Sequence, residues 1–247
     1  MFDQESTMVT DGGWKPQRSL DARSRRAKAA KIAALIDKRR PLAGADLLEI
    51  GTGAGIIATL LAEEVGPAGR VVSVDVDDLR TVHEGYEFHL VDGVELPFPD
   101  ESFDVVVSNH TIEHVGAEDE QLTHLREIAR VLRPDGVGYL ASPTRWALVE
   151  PHFKVPLLSW LPPAQRTPVL RLTGRGRVYD INPRTRAGML SLIERAGLRA
   201  TDVTLEALRT TADIEQSRVA RTAAALPDGA LSAVRGALPT MVFLIAK

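Results

Sequence analysis

Gly51, Gly53 and Gly55 stand at alternate positions directly after the apolar run Leu47-Leu48-Glu49-Ile50 and directly before a helical pattern over Ile56 to Glu64. Glycines at a strand-to-helix turn permit positive φ and let backbone amides approach a ligand without a Cβ in the way. The free N–H groups of the helix's first turn then favour an anionic group. Gly51 and Gly53 are expected to line that approach, and Gly55 to let the helix pack close to the strand. A second apolar run, Val71-Val72-Ser73-Val74, carries Asp75 at its C-terminal tip, twenty residues beyond Gly55. A carboxylate in that position accepts hydrogen bonds from ribose hydroxyls. The chemistry so far is the gripping of a nucleoside-like ligand. The dinucleotide fingerprint G-x-G-x-x-G is not met, because the third glycine arrives one residue early and Ile56 holds its expected place. A second glycine-rich turn is also lacking, so a nicotinamide-dependent oxidoreductase is the disfavoured alternative.

These residues need a scaffold that brings strand tips together. Strands are expected at Leu47 to Ile50, Val71 to Val74, Glu87 to Val91, Phe103 to Ser108 and Val137 to Ala141, with helices at Ile56 to Glu64 and Glu118 to Leu132. Arg133-Pro134-Asp135-Gly136 reads as a helix stop and turn. A helix over Pro183 to Ala196, a strand over Leu198 to Leu205 and a last strand over Met241 to Ala246 follow. The alternation predicts an α/β fold, a doubly wound, mostly parallel sheet with helices on both faces. Ahead of it, residues 1–44 read as a mobile tail and a basic helix over Leu20 to Asp37, with Ala30, Ile32, Ala33, Leu35 and Ile36 on its apolar side. Residues 45–247 form the domain, interrupted at 143–180 by a proline-rich insertion expected to act as a lid.

Three ordered motifs give this arrangement a family likeness. Glu49 to Gly55 reads E-x-G-x-G-x-G and resembles the first motif of class I S-adenosylmethionine-dependent methyltransferases. Asp92 to Asp104 reads D-G-x-x-L-P-F-x-D-x-x-F-D, and Arg130 to Gly136 reads R-x-L-x-P-D-G. Both resemble the small-molecule branch that includes the ubiquinone and menaquinone methyltransferases. The likeness covers roughly residues 45 to 142, with a looser match over Pro183 to Gly197. It implies a Rossmann-like seven-stranded sheet with its last strand antiparallel, and S-adenosyl-L-methionine as cofactor. By the same likeness Glu49 helps hold the methionine end, while Gly51, Thr52, Gly53 and Gly55 form the loop around it. Asp75 takes the ribose, Asp92 the adenine amino group, and Gly93 and the main chain of Asn109 line the adenosine pocket, with Val76 as a further contact. Residues 76 to 85 depart from the pattern, since they leave room for barely two helical turns where the family places a full helix.

Methyl transfer from a sulfonium is an in-line displacement that proximity and orientation can drive. A hydroxyl acceptor would also call for a general base. His110, Glu113 and His114 follow the fourth strand, and His152 lies in the lid, so these four are the candidates. His83, His89 and His124 read as structural or exposed. The histidines show no H-E-x-x-H or comparable spacing, and no metal is expected. The lid interleaves Trp146, Phe153, Leu157, Leu158, Trp160 and Leu161 with Arg145, Lys154, Arg166, Arg171, Arg175 and Arg177 against the single acid Glu150. That mixture suits an acceptor that is anionic, amphipathic or lipid-linked, and it allows peripheral membrane contact through the lid or the basic helix. A non-catalytic S-adenosylmethionine-binding protein is a further alternative, because this chemistry demands no indispensable side chain.

Composition sets the outer bounds. The 247 residues suit one α/β domain with an insertion, and no apolar run is long enough to cross a bilayer. The absence of cysteine excludes disulfides and thiolate ligands. It also fits a cytoplasmic address, as does an N-terminal stretch without an apolar signal core. Net charge is −3, and the N-P-P-Y type signature for base amines is replaced by Ser108-Asn109-His110-Thr111, so a nucleic-acid substrate is not expected.

Overall fold

Five strands are apolar on both faces and therefore need cover on both sides. They are β1 (Asp46–Ile50), β2 (Arg70–Asp75), β4 (Phe103–Asn109), β5 (Leu132–Pro143) and β7 (Thr240–Ala246). The partly exposed β3 (Glu87–Leu90) and β6 (Arg199–Asp202) form the edges. The computed structural model describes residues 22–215, 222 and 226–247. Its sheet has the order β3-β2-β1-β4-β5-β7-β6. Strands β1 to β5 pair in parallel, and β7 runs antiparallel to both β5 and β6. Strand order reverses between β1 and β4, which is where an open α/β sheet leaves a crevice at its carboxyl ends.

Side-chain alternation along each strand divides the core into two layers. Leu47, Val71, Val105, Tyr139 and Val242 pack with α1 (Ala22–Asp37), α2 (Ile56–Val65) and Ala207 of α6 (Thr204–Glu215). Leu48, Val72, Val106, Leu140 and Phe243 face the opposite way. They pack against Leu122, Leu125 and Ile128 of α3 (Glu118–Val131) and Met189, Leu192 and Ile193 of α5 (Arg186–Arg195). The basic helix is thus welded to the domain through Ala29, Ile32, Ala33, Leu35 and Ile36. Two cations just past its end are spent on the domain too, with Arg40 pairing with Asp104 and Asp135 and Lys38 with Glu206.

Four boundaries differ from the sequence expectation. Ala30 is exposed rather than on the apolar side. The sixth strand ends at Asp202, whose Oδ1 accepts the Thr204 N–H at 2.8 Å and turns the chain into α6. The turn at Arg133 to Gly136 is looped out inside β5, where the pairing steps from Phe103–Leu132 to Val105–Val137. The lid is not wholly irregular, because it contains α4 (Pro163–Leu172), packed through Leu170 on Val155 and Leu158. Where room for barely two helical turns was expected, residues 76 to 86 form no helix at all. The expected tail and the start of the first helix lie outside the described residues. Among the described residues no helix is long and apolar enough to cross a membrane.

Candidate active site

Parallel pairing places the ends of β1, β2, β3 and β4 along one edge of the sheet, and with them nearly all the residues singled out above. Gly51 (φ 91°), Gly53 (φ 51°) and Gly55 (φ 81°) all adopt left-handed backbone, which glycine alone accepts without strain. Their surroundings differ. A Cβ on Gly53 would meet nothing within 4 Å, so this residue opens onto the crevice. A Cβ on Gly51 would strike Thr111, whose hydroxyl donates to the Ile50 carbonyl at 2.9 Å and ties the exit of β4 to that of β1. A Cβ on Gly55 would strike the Val82 carbonyl and the Tyr86 hydroxyl. Gly55 therefore makes room for the loop after β2, not for close packing of helix on strand. The Thr81 and Val82 amides complete that seam by donating to the Ala54 carbonyl at 3.1 Å each.

Two acids flank the glycine loop in different surroundings. Asp75 accepts the Gly53 N–H through Oδ2 at 2.8 Å and the Val76 N–H through Oδ1 at 2.8 Å. Each carboxylate oxygen keeps lone-pair capacity for a ligand hydroxyl. Glu49 is buried, with Oε2 accepting from the Ser73 hydroxyl at 2.9 Å, while Thr52 Oγ1 lies 2.6 Å from Ser73 Oγ. Burial, outweighing the Ser73 hydrogen bond and reinforced by the charge of Asp75, pushes the Glu49 carboxyl up to about 8. A cation arriving at this carboxyl would favour its ionised form.

Val76 and Asp92 are exposed beside the tips of β2 and β3, and Gly93 (φ 80°) has open space where a Cβ would stand. Half-buried Asn109 closes β4. Other residues of the long motifs serve the scaffold. Arg130 donates to the carbonyls of Leu96 and Phe98 at 2.9 and 2.7 Å and pairs with Glu127 and Asp100. Asp104 accepts the Asp46 N–H at 2.8 Å and pairs with Arg40 and Arg133.

Beyond Asn109 the chain makes a left-handed residue, His110 (φ 58°), and then a single 3-10 turn, Ile112–His114. A non-glycine residue in this conformation is held there by its surroundings, here by its N–H donating to Ala141 O at 2.8 Å. The turn sinks Glu113 completely, with 0% of the residue exposed. His110 Nδ1 lies 3.2 Å from Glu113 Oε1, and His152 of the lid brings Nε2 to 3.7 Å from the same oxygen. The His114 and His152 rings cross edge-on, with centroids 5.0 Å apart. Burial would raise the Glu113 carboxyl, but the His110 hydrogen bond and the nearby His110 and His114 charges hold it below the ordinary range. All four candidate bases thus converge, although His152 lies 38 residues beyond His114 in the chain. His124 is instead buried against Ser108, at 3.1 Å, and burial pushes it down to about 4.

Sequence reasoning passed over three residues that shape the site. Glu150, the lone lid acid, is 1% exposed, and its Oε1 lies 2.9 Å from His152 Nδ1. Ser73 and Thr111 are the others. The available signal was a small polar residue in or beside an apolar strand.

Comparison with known proteins identifies the frame that holds these residues. Residues 48–140 match the methyltransferase domain family. Over that stretch the chain is similar to a methyltransferase domain. It is 40% identical over 108 residues to a protein of Mycolicibacterium smegmatis named probable S-adenosylmethionine-dependent methyltransferase, covering 42% of this chain and 40% of that protein. It is 37% identical over 112 residues to the ubiquinone/menaquinone biosynthesis C-methyltransferase UbiE of Hahella chejuensis, covering 41% of this chain and 44% of that one. The matched parts thus span about two fifths of these relatives' lengths. In fold, the chain resembles an S-adenosylmethionine-dependent methyltransferase from Mesorhizobium loti, with a TM-score of 0.57 and 15% identity over 90% of this chain and 100% of that one. The sheet is accordingly of the Rossmann-like type.

Proposed function

We propose that this chain transfers a methyl group from S-adenosylmethionine to a small-molecule acceptor with lipid-like or anionic character. The observation that carries the reading is the pair of strand-tip acids, Glu49 and Asp75, on either side of a glycine loop that opens at Gly53 within the matched segment. S-adenosylmethionine, when bound, supplies an electrophilic methyl on a sulfonium. Glu49, after giving up its proton, pairs with the ammonium of the methionine end. Asp75 accepts from the ribose hydroxyls while keeping the Gly53 amide in place. Asp92, Gly93, Val76 and Asn109 take the adenosine side. His110 stands next to Asn109 and, with Nδ1 turned to Glu113, can accept a proton from an acceptor hydroxyl at Nε2.

The lid supports the acceptor class. Trp146, Leu148, Leu157 and Trp160 are each 40% exposed or more, and Lys154, Arg171, Arg175 and Arg177 of the same lid are exposed as well. Arg166 does not belong to this set. It is buried, donating to the Leu161 carbonyl at 2.9 Å. Exposed apolar and cationic side chains on one lid suit an anionic amphiphile or the surface of a membrane that contains one. The test is equilibrium dialysis with S-adenosylhomocysteine, followed by incubation with radiolabelled S-adenosylmethionine and fractionated cell extract. Stoichiometric binding and a labelled, extractable small molecule are expected. Absence of binding would overturn the reading. A water-soluble acceptor, with no salt-sensitive co-sedimentation on anionic liposomes, would remove the lipid-like part.

A further inference from the structure

We infer that Glu113, His114 and His152 form a binding site for a divalent first-row transition ion of the Zn2+ type. One ligand atom from each residue lies within 4.8 Å of the other two. His152 Nε2 and Glu113 Oε1 are 3.7 Å apart, close to the ~3.4 Å edge of a tetrahedral shell with bonds of ~2.1 Å. Two imidazoles and a carboxylate are a donor set that suits such ions rather than Ca2+ or Mg2+, which take oxygen ligands.

Two further observations separate this cluster from a set of ordinary ion pairs. Glu113 is fully buried, yet its Oε2 has no hydrogen-bond partner among the described residues. A buried carboxylate oxygen left alone in this way calls for a ligand. His152 is also already oriented for a metal. Its Nδ1 is held by Glu150 Oε1 at 2.9 Å, which leaves the Nε2 lone pair directed toward Glu113. Glu150 is itself fixed, accepting the main-chain N–H groups of His152 and Phe153. This is the carboxylate–histidine–metal arrangement that sets tautomer and ring orientation around bound ions. The search for a contiguous metal motif misses the grouping, because one ligand comes from the lid.

Three protein ligands leave a coordination position open, as in catalytic rather than structural sites. That position is free for an acceptor hydroxyl, and His110 stands beside the cluster with its Nδ1 3.2 Å from Glu113 Oε1. An acceptor hydroxyl bound there would be more acidic. Resting on the methyl-transfer reading, its proton passes to His110 as its oxygen bonds to the methyl carbon, and the C–S electron pair stays on the departing thioether sulfur. The site would thereby select oxygen acceptors.

The test uses the full chain without a histidine tag, stripped with a chelator and titrated calorimetrically with Zn2+ and, for its visible spectrum, with Co2+. One ion per chain and the absorption of low-coordinate Co2+ are expected. Glu113→Gln and His152→Ala should each weaken Zn2+ binding at least ~10-fold, and Glu150→Gln by ~10- to 100-fold. His152→Ala sits in the lid, so it remains informative if Glu113→Gln fails to fold. No stoichiometric binding, or variants that bind as tightly as the parent, would overturn the inference. S-adenosylhomocysteine binding, measured on the same stripped protein, reports separately on the cofactor site. Its loss with Zn2+ binding intact would sink the methyl-transfer reading and leave the metal site standing.

Discussion

Asp75 Oδ2 holds the Gly53 amide at 2.8 Å, so the residue proposed to take the ribose also fixes the loop proposed to receive the methionine end. Replacing Asp75 removes a ligand contact and a loop anchor together. Asp75→Ala is expected to weaken S-adenosylhomocysteine binding by ~10-fold or more and to cost about 1–2 kcal/mol of stability. Calorimetric titration and denaturant unfolding of the same preparations check the two effects. Unchanged affinity would contradict the ribose contact.

Glu49 should make cofactor binding depend on pH. Burial pushes its carboxyl up to about 8, which keeps it largely protonated at pH 7. Pairing with an ammonium requires the ionised form, and binding near pH 7 should therefore release close to one proton. Calorimetry in two buffers of different ionisation enthalpy measures that number, and affinity should rise from pH 6 to pH 8. Stability of the free protein moves the other way. A carboxyl raised from about 4.5 to about 8 binds more protons folded than unfolded across that window. The stability is present below about pH 4.5 and is lost as pH rises through 8. Glu49→Gln should flatten both profiles.

Arg130 secures the loop that leads into β4. Arg130→Ala strips the Leu96 and Phe98 carbonyls of their donor and leaves Glu127 unpaired. A loss of about 1–3 kcal/mol in urea unfolding is expected. Asp100→Ala should cost less than about 0.5 kcal/mol, because that side chain is mostly in solvent.

Gly53 and Gly55 should respond differently to the same substitution. Gly55→Ala forces a Cβ onto the Val82 carbonyl and Tyr86 hydroxyl, and unfolding should show the larger loss. Gly53→Ala meets open space and carries mainly the left-handed backbone cost of about 1–2 kcal/mol. Its principal effect should be on S-adenosylhomocysteine affinity, read by titration.

Much of this site was legible in sequence because it is built from local grammar. Strand, glycine turn and helix are contiguous from Leu47 to Val65, and the tip acids Asp75 and Asp92 follow their strands directly. Unbroken apolar runs such as Leu47-Leu48 and Val105-Val106, whose neighbours enter opposite core layers, made the sheet equally readable. Legibility failed where partners are distant or a short polar side chain redirects the backbone. Asp202 stops a strand that its apolar neighbours would extend. Gly55 answers to Tyr86, thirty-one positions away, and Glu113 meets His152 only once the lid has folded. No periodicity within either segment announces those meetings.

His152 rides on the segment that spans Thr144 to Asp180, and that segment is stitched at its far end, where the Asn182 amide donates to the Glu113 carbonyl at 2.8 Å. Any swing of that segment would carry Glu150 along with the imidazole but draw both away from Glu113 and His114. If the segment opens to admit a passenger, loading and arming become a single movement.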